Sequence, residues 1–206
     1  MTRAVGLVDG RMRIVLPGTW VNVPLDSPEV ATRFVKRIVR RQVGNADRLA
    51  RVRRDATQEL VANVRDAVGI GVHSYLMSLE ILPGIPFPAA MLLLDEAWPP
   101  AAAAGLAAGD VAAALAAAYP AGEVAEQRSG PVARLVEMAR SDVTTDDGEP
   151  SLTMRLEYHV PYPAGDGLLL VRVVVPGIPS AEPFATLFDE IVDSVTFVTG
   201  GGAERT

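Results

Sequence analysis

Residues 152–160 read Leu-Thr-Met-Arg-Leu-Glu-Tyr-His-Val. In an extended chain Leu152, Met154, Leu156, Tyr158 and Val160 fall on one side, and Thr153, Arg155, Glu157 and His159 on the other. An apolar side alternating with a polar one at period two predicts a strand of an antiparallel sheet with one buried and one wet face. Downstream, 168–175 is apolar at nearly every position. That pattern predicts a strand buried on both faces, central in the same sheet.

Upstream, 132–140 and 122–127 carry strand-forming residues on either side of Ser129-Gly130. The segment 144–150 separates 132–140 from 152–160, and Asp146-Asp147-Gly148 within it predicts a solvated turn, with a weak calcium loop as the alternative. After Gly71 the period is again two, with His73, Tyr75, Met77, Leu79 and Ile81 opposite Ser74, Ser78 and Glu80, predicting a half-buried strand. Pro83-Gly84 turns the chain into a neighbouring strand, 89–95. At the start, 4–8 and 12–16 flank Asp9-Gly10, a hairpin signal, and 19–23 follows Pro17-Gly18.

Helical periodicity holds elsewhere. Ser27 can cap a helix with Pro28 at its first position and Glu29 at the positive end of the dipole. Val30, Ala31, Phe34, Val35, Ile38 and Val39 then form one apolar stripe. Gly44 stops this helix, and Asn45 is placed to cap a second with Leu49, Val52, Ala56, Leu60 and Val64 on one face, up to Gly69. So short a connection predicts a helical hairpin. Asp110 is placed to cap a short alanine-rich helix, 111–118, suited to close packing on a sheet. A last helix, 184–195, puts Phe184, Leu187, Phe188, Ile191 and Val195 on one face. These elements predict an α+β fold: an antiparallel sheet of about six strands packed with a helical hairpin and a C-terminal helix. One domain over 1–199 with a disordered tail, 200–206, is expected, and the absence of a strand–helix alternation argues against a doubly wound sheet.

The 206 residues include no cysteine. Disulfides, thiolate metal sites, a cysteine nucleophile and a lipidated cysteine anchor are therefore excluded. The opening residues lack the long apolar run of a signal peptide, and acids and prolines interrupt the apolar stretch 85–119, so no membrane span is expected and the reading is cytoplasmic. No nucleophile elbow, phosphate loop or dinucleotide fingerprint occurs, and Gly69-Ile70-Gly71 stands in the wrong order for one. With only His73 and His159, a structural zinc site is not expected, and no cofactor is implied. His73 reads as a core or edge histidine and His159 as a surface one. Asp95 and Glu96 are adjacent in a strand and should point to opposite faces; Asp189, Glu190 and Asp193 read as the polar face of the last helix.

Charge is the sharpest compositional feature. Residues 33–54 hold Arg33, Lys36, Arg37, Arg40, Arg41, Arg48, Arg51, Arg53 and Arg54 against one acid, Asp47. That window carries +8 in a chain of net −6, which leaves −14 elsewhere. Arg33, Lys36, Arg37, Arg40 and Arg41 form the candidate partner-binding face. The plain alternatives are a solvated face, relieved by Asp47–Arg51 and Arg51–Asp55 pairs, or arginines docked on the protein's own acidic body. An acidic chain with no aromatic residue in the basic run except Phe34 gives nucleic acid no stacking surface.

The stretches PGTWVNVPLD (17–26), RRQVGNADRLARVRRD (40–55) and PFATLFDEIVDSVTF (183–197) resemble a family of actinobacterial proteins to which no activity is assigned. The closing pattern Phe188, Ile191, Ser194, Phe197 is similar to that of PsbP-like α/β/α sandwiches. That resemblance implies a mostly non-enzymatic accessory role, in some relatives tied to secretion or photosystem assembly, although the opening residues give no expectation of the signal peptide of the secreted members.

The expected function is thus a non-enzymatic accessory or adaptor protein that binds a protein partner. The alternative is a small-ligand-binding domain or enzyme with a site on the sheet face, drawn from Tyr75, Arg155, Glu157 and His159. Self-association through the apolar strand 168–175, were it at an edge, is a third reading.

Overall fold

The computed structural model describes residues 2–7, 10–144, 150–178 and 180–198. Asp9 of the first turn, the Asp146-Asp147-Gly148 turn with its calcium alternative, and the tail 200–206 lie outside the described residues. The fold is α+β with antiparallel sheets, as the periodicities require, but the described residues form two sheets and more strands than expected. β1 (Thr2–Leu7) pairs with β2 (Met12–Pro17), Leu7 opposite Met12, and β11 (Thr196–Phe197) pairs on the other edge of β2. Gly18 marks the passage to the large sheet: its φ is +77°, and a Cβ there would lie 2.1 Å from the Glu80 carbonyl oxygen. No other residue fits so close a backbone approach.

The large sheet has eight strands. β3 (Thr19–Val23), β4 (Ser74–Leu82), β6 (Ala90–Glu96), β10 (Leu168–Ile178), β9 (Pro150–Pro161), β8 (Gly130–Thr144) and β7 (Glu123–Gln127) lie in that order, and the short β5 (Ile85–Pro86) pairs with β4. β10 is central, as its apolar run predicts. With β6 on one side and β9 on the other, it has no edge left for a second copy, which removes self-association through this strand.

The two faces of this sheet receive different covers. Met154, Leu156, Tyr158 and Val160 join Val171, Val173 and Val175 in a core closed by the β1–β2 hairpin and the last helix, α5 (Glu182–Asp193). Within it Phe87 stacks on Phe184, with ring centroids 5.7 Å apart, and Trp20 meets Phe188 edge-on. The Ser194 hydroxyl accepts from Val15 N–H at 2.9 Å and ties the end of α5 to β2. The opposite face is covered at one end by the helical hairpin, α1 (Pro28–Val43) and α2 (Ala50–Gly69), through Val35, Val39, Val64 and Ala67 over Tyr75.

Beyond that hairpin lie two short alanine-rich helices, α3 (Ala103–Ala107) and α4 (Val111–Ala118), with Ala114 and Leu115 fully buried. Their approach is tight, since a Cβ on Gly105 would sit 2.5 Å from Ala114 N. β4 therefore lies between two covers, and Ser74, Tyr75, Leu76, Ser78 and Leu79 are all buried. The half-buried strand expected from its alternation is buried on both faces, because Leu76, between Ser74 and Ser78 on the second face, packs into the core under the β1–β2 hairpin and α5. No helix among the described residues is long and apolar enough to cross a membrane.

The caps at Ser27 and Asp110 form as expected, accepting from Val30 N–H and Ala113 N–H. Asn45 does not cap the second helix. A turn of 3₁₀ helix, Asp47–Leu49, begins it, and Asn45 Oδ1 instead accepts from Arg40 Nε at 2.7 Å.

Candidate functional site

The outer face of α1 carries Arg33, Lys36, Arg37, Arg40 and Arg41, all exposed. At 100° per residue they span roughly 140° of arc and about 12 Å of axis. The opposite face buries Ala31, Val35, Ile38 and Val39, which forces the charges outward. The ion pairs of the hairpin among the described residues are Arg51–Asp55 at 3.6 Å and Arg54–Asp55 at 3.4 Å. The expected Asp47–Arg51 pair does not form, because Asp47 sits in the 3₁₀ turn rather than one helical turn before Arg51. None of the five cations on α1 forms an ion pair with the protein's own acids among the described residues. Arg37 lies over the Phe34 ring, 5.1 Å from its centroid. Arg53 is spent internally: its Nη1 donates to the carbonyls of Gly44 and Ala46, both at 2.8 Å, and so closes the end of α1.

The second candidate is the sheet face beneath the hairpin. Pairing aligns Tyr75, Leu92, Arg172 and Glu157 in one row across β4, β6, β10 and β9, and Met77, Ala90, Val174 and Arg155 in the next. The hairpin covers the apolar start of these rows and ends before the charged part. A groove of about 690 Å³ remains, lined by both. Tyr75 and Arg155 line it; Glu157 and His159 do not. Glu157 instead accepts from Arg172 Nε at 2.7 Å, and Arg155 Nη1 lies 3.5 Å from Glu137. The four residues named from the sequence share a face but not a site.

His159 is the sharpest departure. It lies on the polar side of β9 yet is buried, not at the surface. Tyr119, at the end of α4, stacks on its ring with centroids 3.6 Å apart. Its Nδ1 lies 2.7 Å from Glu96 Oε2, which fixes the proton on Nδ1 as the donor, and the Tyr119 hydroxyl donates to the same oxygen at 3.0 Å. Nε2 is buried with no hydrogen-bond partner among the described residues. Burial holds the ring below the ordinary imidazole range, against the opposing pull of Glu96. Burial, with the Glu96 charge adding to it, pushes the Tyr119 phenol up. The network encloses the His159 ring, which is 3% exposed, while its acceptor Glu96 keeps 31% of its side chain exposed.

Asp95, pointing to the other face as adjacent strand residues must, accepts from the Tyr162 hydroxyl and lies 3.6 Å from His73 Nε2. His73 precedes β4 and faces Asp95 and Ser74 rather than sharing the helix side with Tyr75. Asp189, read from sequence as part of the polar face of the last helix, is an anchor: it accepts from the Tyr158 hydroxyl at 2.8 Å and pairs with Arg134. Sequence reasoning also missed Arg172 and Tyr119, and it did not bring Glu96 to His159. A charge at 172 inside an otherwise apolar strand was the one available signal.

No family model and no curated protein matches the chain. Among solved structures, a mutant of the protein Mog1 is similar, with a TM-score of 0.44, 10% sequence identity and 97% of each chain covered.

Proposed function

We propose that the protein is a non-enzymatic accessory or adaptor protein of the cytoplasm whose basic helical hairpin docks an acidic protein partner. One observation carries this reading: Arg33, Lys36, Arg37, Arg40 and Arg41 are exposed on one helix face and engage no acid of their own chain among the described residues. Such a face raises the encounter rate with an acidic surface and is weakened by salt. The one aromatic residue beside it, Phe34, is packed into the core and covered by Arg37, so nucleobases find no platform. The PsbP-like resemblance of the sequence belongs to this proposal, since it implies an accessory role of the same kind, secretion-linked in some relatives.

The test is affinity capture from native lysate at low and high salt, with wild type and an Arg37→Glu/Arg41→Glu variant. A partner lost both at high salt and in the variant supports docking. A partner that survives the charge reversal, or no partner at low salt, overturns it.

A second reading, a small-ligand site on the sheet face, is favoured by the groove that Tyr75 and Arg155 both line.

A further inference from the structure

The groove under the hairpin has a chemistry more specific than an opening between layers. Its volume, about 690 Å³, lies within the range of roughly 300–1,000 Å³ typical of small-molecule sites. Ile38, Val39 and Leu60 from the hairpin and Met77, Leu92 and Val174 from the sheet make its walls and floor apolar. The floor crosses from β4 to β10 without a charge and then meets Arg172 and Arg155 together. These two arginines are diagonal neighbours on adjacent strands, because Arg172 stands opposite Glu157 and Arg155 opposite Val174. Diagonal Cα atoms lie about 7–8 Å apart, within reach of one anionic group for two long side chains.

Both guanidinium groups keep donors in hand. Arg172 gives only Nε to Glu157, and Arg155 meets Glu137 only at 3.5 Å. The side chains are 38% and 53% exposed, so a ligand reaches them without opening the fold. At the hairpin side the groove is lined instead by Glu59 and Asp66, which repel an anion.

We propose that this groove binds a small amphipathic carboxylate, with its apolar body between hairpin and sheet and its carboxylate held by Arg155 and Arg172. The inference rests on the second reading above and is independent of what the hairpin's outer face docks. A neutral apolar ligand would leave unused the guanidinium donors that Glu157 and Glu137 do not take. A carboxylate matches the fork of a guanidinium in shape and charge. The acids on α2 set the direction, with the head away from the hairpin.

The test uses the whole chain, decanoate and its neutral counterpart decanol, with binding read by displacement of an anilinonaphthalene sulfonate probe. Wild type is expected to bind decanoate saturably at one site and decanol at least tenfold more weakly. In Arg155→Met/Arg172→Met that preference disappears while decanol binding is retained. Ala56→Trp, which fills the groove from the partly exposed hairpin wall, abolishes both, with circular dichroism confirming the fold. Equal binding of decanoate and decanol in wild type, blocked by Ala56→Trp, overturns the carboxylate assignment and leaves a groove for apolar ligands. No saturable binding of either, or binding untouched by Ala56→Trp, overturns the ligand site itself.

Discussion

Glu96 Oε2 accepts the Nδ1 proton of His159 at 2.7 Å, reaching from β6 across the intervening strand β10 to β9. The contact joins residues 63 positions apart, and Tyr119 closes over it from α4. A buried polar network of this kind is costly when one member is removed. Glu96→Ala is expected to cost about 1–3 kcal/mol, since it strips His159 Nδ1 and the Tyr119 hydroxyl of their acceptor together. Urea denaturation of wild type and variant measures it. Tyr119→Phe, which keeps the ring stack and loses one hydrogen bond, should cost clearly less.

Acid should weaken the fold before the carboxylates titrate. Burial lowers both His159 and His73 from the ordinary value, with Glu96 and Asp95 opposing it. The unfolded chain therefore takes up protons near pH 6.5, where the folded chain does not, so stability falls as pH drops through that value. Each ring contributes a slope of at most about 1.4 kcal/mol per pH unit. Urea midpoints between pH 7.5 and 5.5 should decline in wild type and decline less in His159→Gln.

Two glycines hold close approaches, and a third gives the control. Gly18→Ala combines a positive φ with a Cβ driven into the Glu80 carbonyl; Gly105→Ala drives one into the Ala114 backbone. Each should cost about 1–3 kcal/mol. Gly10 also has a positive φ, +82°, but nothing within 4 Å of its Cβ position. Gly10→Ala should lower the melting temperature by less than either.

Asp189 fastens α5 to the sheet through Tyr158 and Arg134. Asp189→Leu leaves the buried Tyr158 hydroxyl and the Arg134 guanidinium without this acceptor, so a loss of about 1–3 kcal/mol is expected. Amide exchange should show the loosening confined to α5 and its flanks if the helix opens as a local unit.

Arg53 is the arginine of the hairpin whose removal should be felt in stability, because it donates to the Gly44 and Ala46 carbonyls. Arg53→Ala should cost about 1 kcal/mol. Arg33→Ala and Arg41→Ala, on the outer face, should stay within about 0.5 kcal/mol of wild type. Thermal melts of the three variants make the comparison.

What the sequence determined by itself was local. The alternation at 152–160, the apolar run at 168–175, the stripe of α1 and the caps at Ser27 and Asp110 are each set by neighbours within a few residues, and each appears in the fold. The basic face of α1 was legible for the same reason, since a helix with one apolar stripe must expose the other side. The strand count was not, because the N-terminal hairpin and the large sheet are distinguished only by which edges meet. Nor was the fate of the polar side of β9. Arg155 and His159 are four residues apart on one face, yet Arg155 borders an open groove and His159 is buried. The difference lies in where α2 and α4 come to rest over the sheet. Their placement depends on packing between segments distant in the chain, which no local periodicity encodes.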